Sequence, residues 1–234
     1  NAKKHYKIKY IYFNHGVNTI GLLNNIWQKL YMTLFLLFTN ITLRNVDEAY
    51  SVSKYLKEDL KKASNLDSKV IYNKIDKKRF NKKVKGDKII KKYNLKNKKV
   101  LLYVGRIAPH KGIHLLLQSF KIIKAKIPNA KLIIVGKPTF NSYFKKLKKS
   151  ADKDVIFTGF VEDSELPYYY AACDIYVTAS LWEGFNLPFC ESQACGKKVV
   201  AFNIGSHPEI VKNGILVEKG NIQEFAEAVI KILR

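Results

Sequence analysis

Two glutamates, Glu183 and Glu191, stand eight positions apart in the segment LWEGFNLPFCESQACG, residues 181–196. Carboxylates accept hydrogen bonds from hydroxyl groups, and the start of a helix offers backbone N–H groups and a positive dipole end to an anion. Gly184 lets the backbone approach a ligand closely. The segment is therefore suited to a ligand that carries both hydroxyl groups and phosphates, such as a sugar nucleotide.

The segment follows a predicted strand, DIYVTAS, residues 174–180. Pro188 favours the first helical position, which puts Glu191 in the first helical turn and Glu183 in the loop before it. Ligands of open parallel sheets bind at the carboxyl ends of strands, so both carboxylates are expected to face one crevice. For Glu191 the alternative is capping chemistry alone, because an acidic residue stabilises a first helical turn.

Two cations follow another predicted strand, in VGRIAPHKGI, residues 104–113. Gly105 ends the strand, Arg106 follows it, and Lys111 precedes a helix. Cations at a strand end beside a helix N-terminus favour binding of a diphosphate. Arg106 is the more informative of the two, because only four of the 42 basic residues are arginine.

Short apolar runs alternate with helical patterns over residues 88–234. This alternation indicates right-handed βαβ units and a parallel sheet covered on both faces, hence a complete, doubly wound, Rossmann-like α/β domain. The predicted strands are 98–105, 131–136, 154–159, 174–180, 198–202 and 214–217, and the predicted helices are 112–127, 139–150, 166–172, 188–195 and 222–233.

The first 73 residues show a looser pattern, which predicts a partial N-terminal α/β domain, followed by a charged linker over residues 74–87. A helix over residues 26–38 is expected to be buried, with interfacial membrane contact as the alternative, because its apolar run is too short to span a bilayer. The other elements predicted here are strands over 7–13, 48–53 and 68–73 and a helix over 54–64. Since the chain begins with Asn1, we expect it to be a piece of a longer protein.

The net charge of +23 suggests an anionic partner. Lysines are spread along the whole chain, however, and a protein that reads phosphates and base edges is expected to use more arginine. The composition favours a solvated basic surface over nucleic-acid binding. Three cysteines (Cys173, Cys190 and Cys195) lack metal-ligand spacing, and no signal peptide is visible, which together favour a reduced, cytoplasmic location.

Several motifs together resemble the retaining, nucleotide-sugar-dependent glycosyltransferases of family 4, which have the GT-B fold of two Rossmann-like domains. The resemblance covers about residues 49–234, and its motifs are specific in combination. They are VIYNKIDKKRF, VGRIAPHKG, IIVG, VIFTGFVEDSELPYYYAACDIYVTAS, EGFNLPFCE and GSHPEIVKNGILV.

The resemblance implies a role for each candidate residue. Arg106 and Lys111 would neutralise the donor diphosphate, Glu191 would bind the ribose hydroxyls, and Glu183 would hold the donor sugar. The remaining donor-binding residues would be Phe160 and Val161 beside the nucleobase, Gly184, Phe185, Asn186 and Leu187 around the sugar and phosphates, and Gly136.

The resemblance also implies that His15, which follows the first predicted strand, lies near the anomeric centre and completes a catalytic set with Glu183, Arg106 and Lys111. No metal or other cofactor is implied, and the acceptor would be a saccharide or a lipid-linked molecule. His110 is interpreted as a spacer and His207 as structural, and Glu209 is a candidate for contact with the donor sugar.

Other functions stay open at this stage. One is a truncated donor-binding module without turnover, and another is a basic protein that binds nucleic acid or an anionic membrane. Peripheral membrane contact is also compatible with an enzyme, through the lysine-rich surface with Trp27 and Phe35. Within the GT-B fold, an epimerase or a phosphorylase is the nearest alternative enzyme.

Overall fold

The computed structural model describes residues 8–16 and 26–234. The chain forms two compact units that divide between Lys74 and Ile75. Each unit is built on parallel strands joined by helices, which is the α/β architecture that the sequence predicts.

The described part of the N-terminal unit holds a small parallel sheet with the strand order β1-β2-β3. The side chain of Ser53 accepts a hydrogen bond from Leu56 N and so caps the helix that follows β2. That helix ends at Asn65, which adopts the left-handed conformation. The elements are β1 (Ile11–Asn14), α1 (Ile26–Leu43), β2 (Glu48–Ser51), α2 (Lys54–Ser64) and β3 (Lys69–Val70).

Helix α1 differs from its prediction in burial. The sequence predicts a buried helix, but the described side chains of α1 are largely exposed; the exposed fraction of Trp27 is 74% and that of Phe38 is 68%. The apolar residues are distributed around the helix rather than along one stripe, so a single face cannot bury them all. Nine large apolar side chains of α1 are exposed: Ile26, Trp27, Leu30, Tyr31, Leu34, Phe35, Leu37, Phe38 and Ile41.

The C-terminal unit, which is described throughout, contains a six-stranded parallel sheet with the order β6-β5-β4-β7-β8-β9. The strands are β4 (Lys99–Val104), β5 (Ala130–Val135), β6 (Val155–Gly159), β7 (Ile175–Thr178), β8 (Lys198–Phe202) and β9 (Gly214–Val217). The helices are α3 (Asp87–Lys92), α4 (Ile113–Lys126), α5 (Asn141–Ser150), α6 (Leu166–Ala172), α7 (Leu187–Ala194), α8 (His207–Ile210) and α9 (Ile222–Leu233).

Alternate residues of the strands point to two separate apolar cores, as expected for a sheet that is covered on both faces. In β4, Leu101 and Tyr103 belong to the core that includes α4 and α9. Leu102 and Val104 belong to the opposite core, which includes residues of α3, α6 and α7. The sheet is therefore doubly wound, as the sequence predicts.

The strand order reverses between β4 and β7. The chain adds β5 and β6 on one side of β4, then returns to pair β7 with the other side of β4. The loops that leave β4 and β7 at their carboxyl ends therefore diverge in opposite directions and leave a crevice between them. Arg106 and Lys111 follow β4, and Glu183 follows β7, so the sheet topology brings these candidates to one place.

The segment that the sequence predicts as a linker, residues 74–87, is largely part of the C-terminal unit. Phe80 is buried in the core that contains α6 and α7, and the guanidinium of Arg79 donates to the backbone oxygen of Asp163 at 2.5 Å. The helices α3 and α8 are also not predicted, because they are short and lack a clear helical period in the sequence.

Among the described residues, no helix combines the length and the apolar character needed to cross a bilayer.

Gly112 provides a test of how closely the loops after β4 and β7 must approach each other. Its φ is +64°, and a Cβ atom there would lie 1.8 Å from the backbone oxygen of Ala179. We expect Gly112→Ala to lower the free energy of unfolding by at least about 3 kcal/mol, because overlap adds to backbone strain. Gly220→Ala is the matched control, since φ is +84° and a Cβ would meet no atom within 4 Å; it should cost about 1 kcal/mol. Equal losses in denaturant unfolding would contradict the close approach.

Candidate functional site

A cavity of about 210 Å³ lies at the switch point of the larger sheet. It is lined by the carboxyl ends of β4 and β7, by the loops that follow them and by the start of α7. The lining includes six residues that the sequence predicts as donor-binding: Arg106, Lys111, Glu183, Phe185, Asn186 and Leu187.

The cavity contains an ion pair between Lys111 and Glu183. The lysine Nζ lies 2.8 Å from Oε1 and 2.9 Å from Oε2 of the glutamate. The two side chains are 17% and 7% exposed. Charges this far from water require a partner, because desolvation of an unpaired charge costs several kcal/mol. The sequence places both residues at the site, but only the structure shows that they bind each other.

Backbone hydrogen bonds hold the Glu183 loop between its neighbours. Leu181 N donates to His110 O at 2.8 Å, and Ser206 N donates to Glu183 O at 3.2 Å. A Cβ atom on Gly205 would lie 2.1 Å from Glu183 O, so only glycine permits this approach. The loops after β4, β7 and β8 are thus joined through their backbones, and His110 contributes its carbonyl group.

The side chain of Asn186 caps α7. Its Oδ1 accepts from Phe189 N at 3.2 Å, and its Nδ2 lies 3.2 Å from His207 Nε2 and 3.5 Å from Glu183 Oε1. Because the cap is Asn186, the helix begins at Leu187 and Pro188 is its second residue, not its first. This corrects the sequence prediction for Glu191, which lies in the second helical turn.

Glu191 is half-buried and accepts a hydrogen bond from the hydroxyl of Tyr170 at 2.7 Å. Burial raises the pKa of Glu191, and the Tyr170 hydrogen bond acts in the opposite direction. Glu191 is not among the residues that line the cavity with Glu183. Sequence reasoning missed Tyr170, which is buried in the helix LPYYYAA together with Pro167 and Tyr169.

Three predicted donor-binding residues, Gly136, Phe160 and Val161, follow the ends of β5 and β6. Gly136 N donates to Gly159 O at 2.9 Å, which ties the two strand ends together. The ring of Phe160 is exposed, and the Lys137 ammonium lies 4.4 Å from its centroid. Val161 packs at the edge of the core that contains α6. The edge of the sheet therefore presents an exposed aromatic ring with a lysine ammonium over it.

The other predicted residues lie outside the cavity lining. His15 is exposed and directly follows β1 in the N-terminal unit. Glu209 is half-buried within α8, and Gly184 is buried in the loop before α7. Within residues 8–16 and 26–234, no group of three or more His, Cys, Asp or Glu side chains has the arrangement to hold a metal ion.

Three further side chains of the site are not among the functional residues that the sequence predicts. The hydroxyl of Tyr103 donates to Arg106 O at 3.0 Å and so fixes the loop after β4. His207 contacts Asn186 and is wholly buried. The hydroxyl of Ser206 is the one buried side-chain polar atom in the described part of the chain that has no hydrogen-bond partner.

Comparisons with other proteins agree on one family. The family model of the glycosyl transferases group 1 matches residues 85–234. An uncharacterized glycosyltransferase of Methanocaldococcus jannaschii is 32% identical over 202 residues, which cover 80% of this chain and 50% of the relative. The GDP-mannose-dependent alpha-(1-6)-phosphatidylinositol monomannoside mannosyltransferase of Mycobacterium tuberculosis is 30% identical over 155 residues, 61% of this chain and 40% of the relative.

Solved structures give the same result. The crystal structure of Anabaena HepE in complex with UDP and glucose matches with a TM-score of 0.83 and 25% identity, over 98% of this chain and 63% of HepE. Another structure of HepE holds UDP-glucose. The chain spans about half the length of the curated relatives it matches.

The buried ion pair predicts strong coupling between Lys111 and Glu183. We expect Lys111→Met and Glu183→Gln each to lower the free energy of unfolding by about 3 kcal/mol, because each leaves the other charge buried without a partner. The double variant should lose much less than the sum of the two, as measured by denaturant unfolding in a double-mutant cycle.

The control is the exposed pair Lys57 and Asp67, whose side chains are 41% and 67% exposed. Lys57→Met should cost under about 1 kcal/mol. Additive losses for Lys111 and Glu183 would show that the pair does not determine the stability of this loop arrangement.

Proposed function

The chain belongs to the group 1 glycosyl transferases, and from that premise we propose that it transfers a sugar from a nucleoside-diphosphate sugar to a saccharide or lipid-linked acceptor, with retention of configuration. The observation that carries this proposal is one cavity in which Arg106, Lys111 and Glu183 meet the N-terminus of α7. Cations and helix amides suit a diphosphate, and a carboxylate suits sugar hydroxyls. The two α/β units of the chain, each with a parallel sheet, are of the GT-B type.

In this proposal the donor diphosphate binds between the loop after β4 and the start of α7. Arg106 is exposed and lines the cavity, so its guanidinium is accessible to phosphate oxygens. Lys111 already neutralises Glu183, and a bound diphosphate would share that ammonium group. The backbone amides of Phe185, Asn186 and Leu187 at the helix start add a further positive potential.

Glu183 and Glu191 bind different parts of the donor in this proposal. Glu183 accepts sugar hydroxyls rather than acting as a base, since both of its oxygens are engaged by Lys111. Tyr170 occupies one oxygen of Glu191, and the other is assigned to the ribose hydroxyls. The exposed ring of Phe160, with Val161 beside it, is assigned to the nucleobase.

The chemical step breaks the bond between the anomeric carbon and the diphosphate oxygen and forms a bond from that carbon to a hydroxyl oxygen of the acceptor, whose proton passes to the leaving diphosphate. Negative charge develops on the diphosphate as its bond to the sugar breaks. Arg106, Lys111 and the amides at the start of α7 are placed to stabilise that charge, and the proposal assigns this task to them without a metal or other cofactor. His15, which follows β1 in the N-terminal unit, stays a predicted member of the catalytic set. The three cysteines are free, which supports a reduced, cytoplasmic location.

Titration calorimetry with UDP, GDP and ADP tests the donor site. We expect one of these nucleotides to bind without added metal, and Arg106→Ala and Glu191→Ala each to weaken that binding about 10- to 100-fold, because each removes a charge-assisted hydrogen bond.

The matched controls are Arg44→Ala and Glu58→Ala, which remove exposed charges of the N-terminal unit. Both should bind as the unmodified protein does. If no nucleotide binds, or if the controls lose as much affinity as the site variants, the proposed donor site is wrong. If a nucleotide does bind at this site, an assay of sugar transfer to acceptors distinguishes an enzyme from a donor-binding module without turnover.

The exposed surface of α1 favours a second activity, peripheral contact with an anionic membrane. Large apolar side chains are exposed along this helix, and the first 74 residues carry twelve basic against five acidic side chains, a net charge of +7. An apolar helix on a positively charged unit is suited to the interface of an anionic bilayer. This contact would bring the enzyme to a lipid-linked acceptor.

Sedimentation with vesicles tests this contact. We expect vesicles that contain phosphatidylglycerol to bind the protein more tightly than phosphatidylcholine vesicles, and Leu34→Asp to weaken the binding about tenfold. Ile71→Asp is the matched control, because Leu34 and Ile71 are both 47% exposed but Ile71 lies outside α1. Equal binding to both kinds of vesicle, or equal losses in the two variants, would contradict the contact.

A further inference from the structure

His207 is wholly buried directly after the loop that leaves β8, although its sequence context predicts only a structural role. Its ring stacks on Phe189 of α7 with centroids 5.1 Å apart and an interplanar angle of 18°. Both ring nitrogens have polar neighbours, at 2.8 Å and 3.2 Å. An apolar side chain of similar size would satisfy packing alone. The two directed contacts of this buried imidazole, beside the cavity, therefore indicate a further role.

The hydrogen-bond partners determine the tautomer of His207. The neighbour of Nδ1 is the backbone oxygen of Phe202, which only accepts, so Nδ1 carries the proton. The neighbour of Nε2 is the amide of Asn186. The Oδ1 atom of this amide accepts from Phe189 N, which directs Nδ2 toward the histidine. Nε2 must therefore accept, and both ends of the ring require the same neutral form.

The second N–H of the Asn186 amide is directed toward Glu183. The distance from Asn186 Nδ2 to Glu183 Oε1 is 3.5 Å, at the outer limit of a hydrogen bond. A flipped amide would present Nδ2 to Phe189 N, losing the helix cap, and would present Oδ1 to both His207 Nε2 and the Glu183 carboxylate. The acceptor on His207 therefore selects the one amide orientation that satisfies all three neighbours.

We propose that His207 is a positioning residue, which in its neutral form orients the Asn186 amide and, through it, the Glu183 carboxylate that receives the donor sugar. This inference rests on the proposed function in its last step only. The orientation of Asn186 by His207 is a property of the protein without any ligand.

The arrangement has a consequence for pH dependence. A protonated His207 donates from both nitrogens, so it opposes the N–H group of Asn186. The charged and titratable groups that act on it are Glu183, which favours protonation, and Lys111, which disfavours it. Burial has the largest effect and lowers the pKa of His207. As the pH falls below the ordinary histidine pKa of about 6.5, the unfolded chain gains a proton first and the folded protein loses stability. At lower pH the folded protein also takes up the proton and Asn186 loses its orientation.

Nitrogen NMR of the histidine rings tests the first step without any ligand. At pH 8 we expect the His207 signals of a ring protonated at Nδ1 and unprotonated at Nε2. The Asn186 side-chain amide signals should change with the titration of His207. A proton on Nε2 at pH 8 would overturn the proposal.

Two substitutions test the second step. His207→Gln keeps a donor for Phe202 O and an acceptor for Asn186 but does not titrate, whereas His207→Leu keeps the volume and loses both hydrogen bonds. Affinities for UDP and UDP-glucose, and for GDP and GDP-mannose, are measured by calorimetry from pH 5 to pH 8, with circular dichroism to confirm folding at each pH.

We expect His207→Leu to weaken nucleotide-sugar binding about tenfold at pH 8, with the free nucleotide changed by less than about threefold. His207→Gln should restore nucleotide-sugar affinity at pH 8 and retain it below the pH at which the NMR titration shows His207 to take up a proton, where the unmodified protein loses affinity. Glu191 is present in both proteins, so its effect on the pH dependence of affinity is the same in each. The difference between their two pH profiles therefore reports on His207. If the Gln and Leu variants behave alike at pH 8, or if His207→Gln and the unmodified protein keep equal affinity below the pH at which His207 is seen to titrate, His207 does not position Glu183.

Failure of the proposed function has a different signature. In that case no nucleotide binds even to the unmodified protein, while the ring nitrogen signals still decide whether His207 orients Asn186. If His207→Leu does not fold, the NMR titration and the His207→Gln profile still decide the proposal.

Discussion

The ion pair between Lys111 and Glu183 is the interaction on which the candidate site depends. It joins the loop after β4 to the loop after β7 at the point where the strand order reverses. Each charge is largely removed from water, so each needs the other as a partner. The pair also determines the chemistry of the cavity, because a carboxylate held by an ammonium group suits hydroxyl groups better than it suits proton abstraction.

The backbone around this pair is arranged to hold it. Gly112 and Gly205 permit contacts with neighbouring backbone oxygens that a Cβ atom would exclude, and the amides of Leu181 and Ser206 donate across the loops. Three separate strand ends are thereby fixed against one another before any ligand arrives. Such preorganisation favours stabilisation of a charge that develops during reaction, since the groups need not move to meet it.

The N-terminus of α7 connects the ion pair to Asn186, His207 and Glu191. Asn186 caps the helix, contacts His207 and faces Glu183, while Glu191 lies one turn further along and is held by Tyr170. The start of α7 and the loop before it therefore carry backbone amides and two carboxylates in different environments. Burial raises the pKa of Glu191, whereas the ammonium of Lys111 neutralises Glu183.

The α/β fold of the C-terminal unit could be predicted from the amino-acid sequence, because apolar strands that alternate with helical periods indicate a parallel sheet covered on both faces. Helix 222–233 and strand 198–202 are predicted with their observed bounds, and Arg106, Lys111 and Glu183 are predicted as site residues because they follow the carboxyl ends of strands. The remaining features required the three-dimensional structure, because they depend on contacts between segments that are distant in the chain. These are the pairing of Lys111 with Glu183, the second-turn position of Glu191 and the tautomer of His207. The exposure of α1 belongs with them, because a sequence shows that a helix is apolar but not what packs against it.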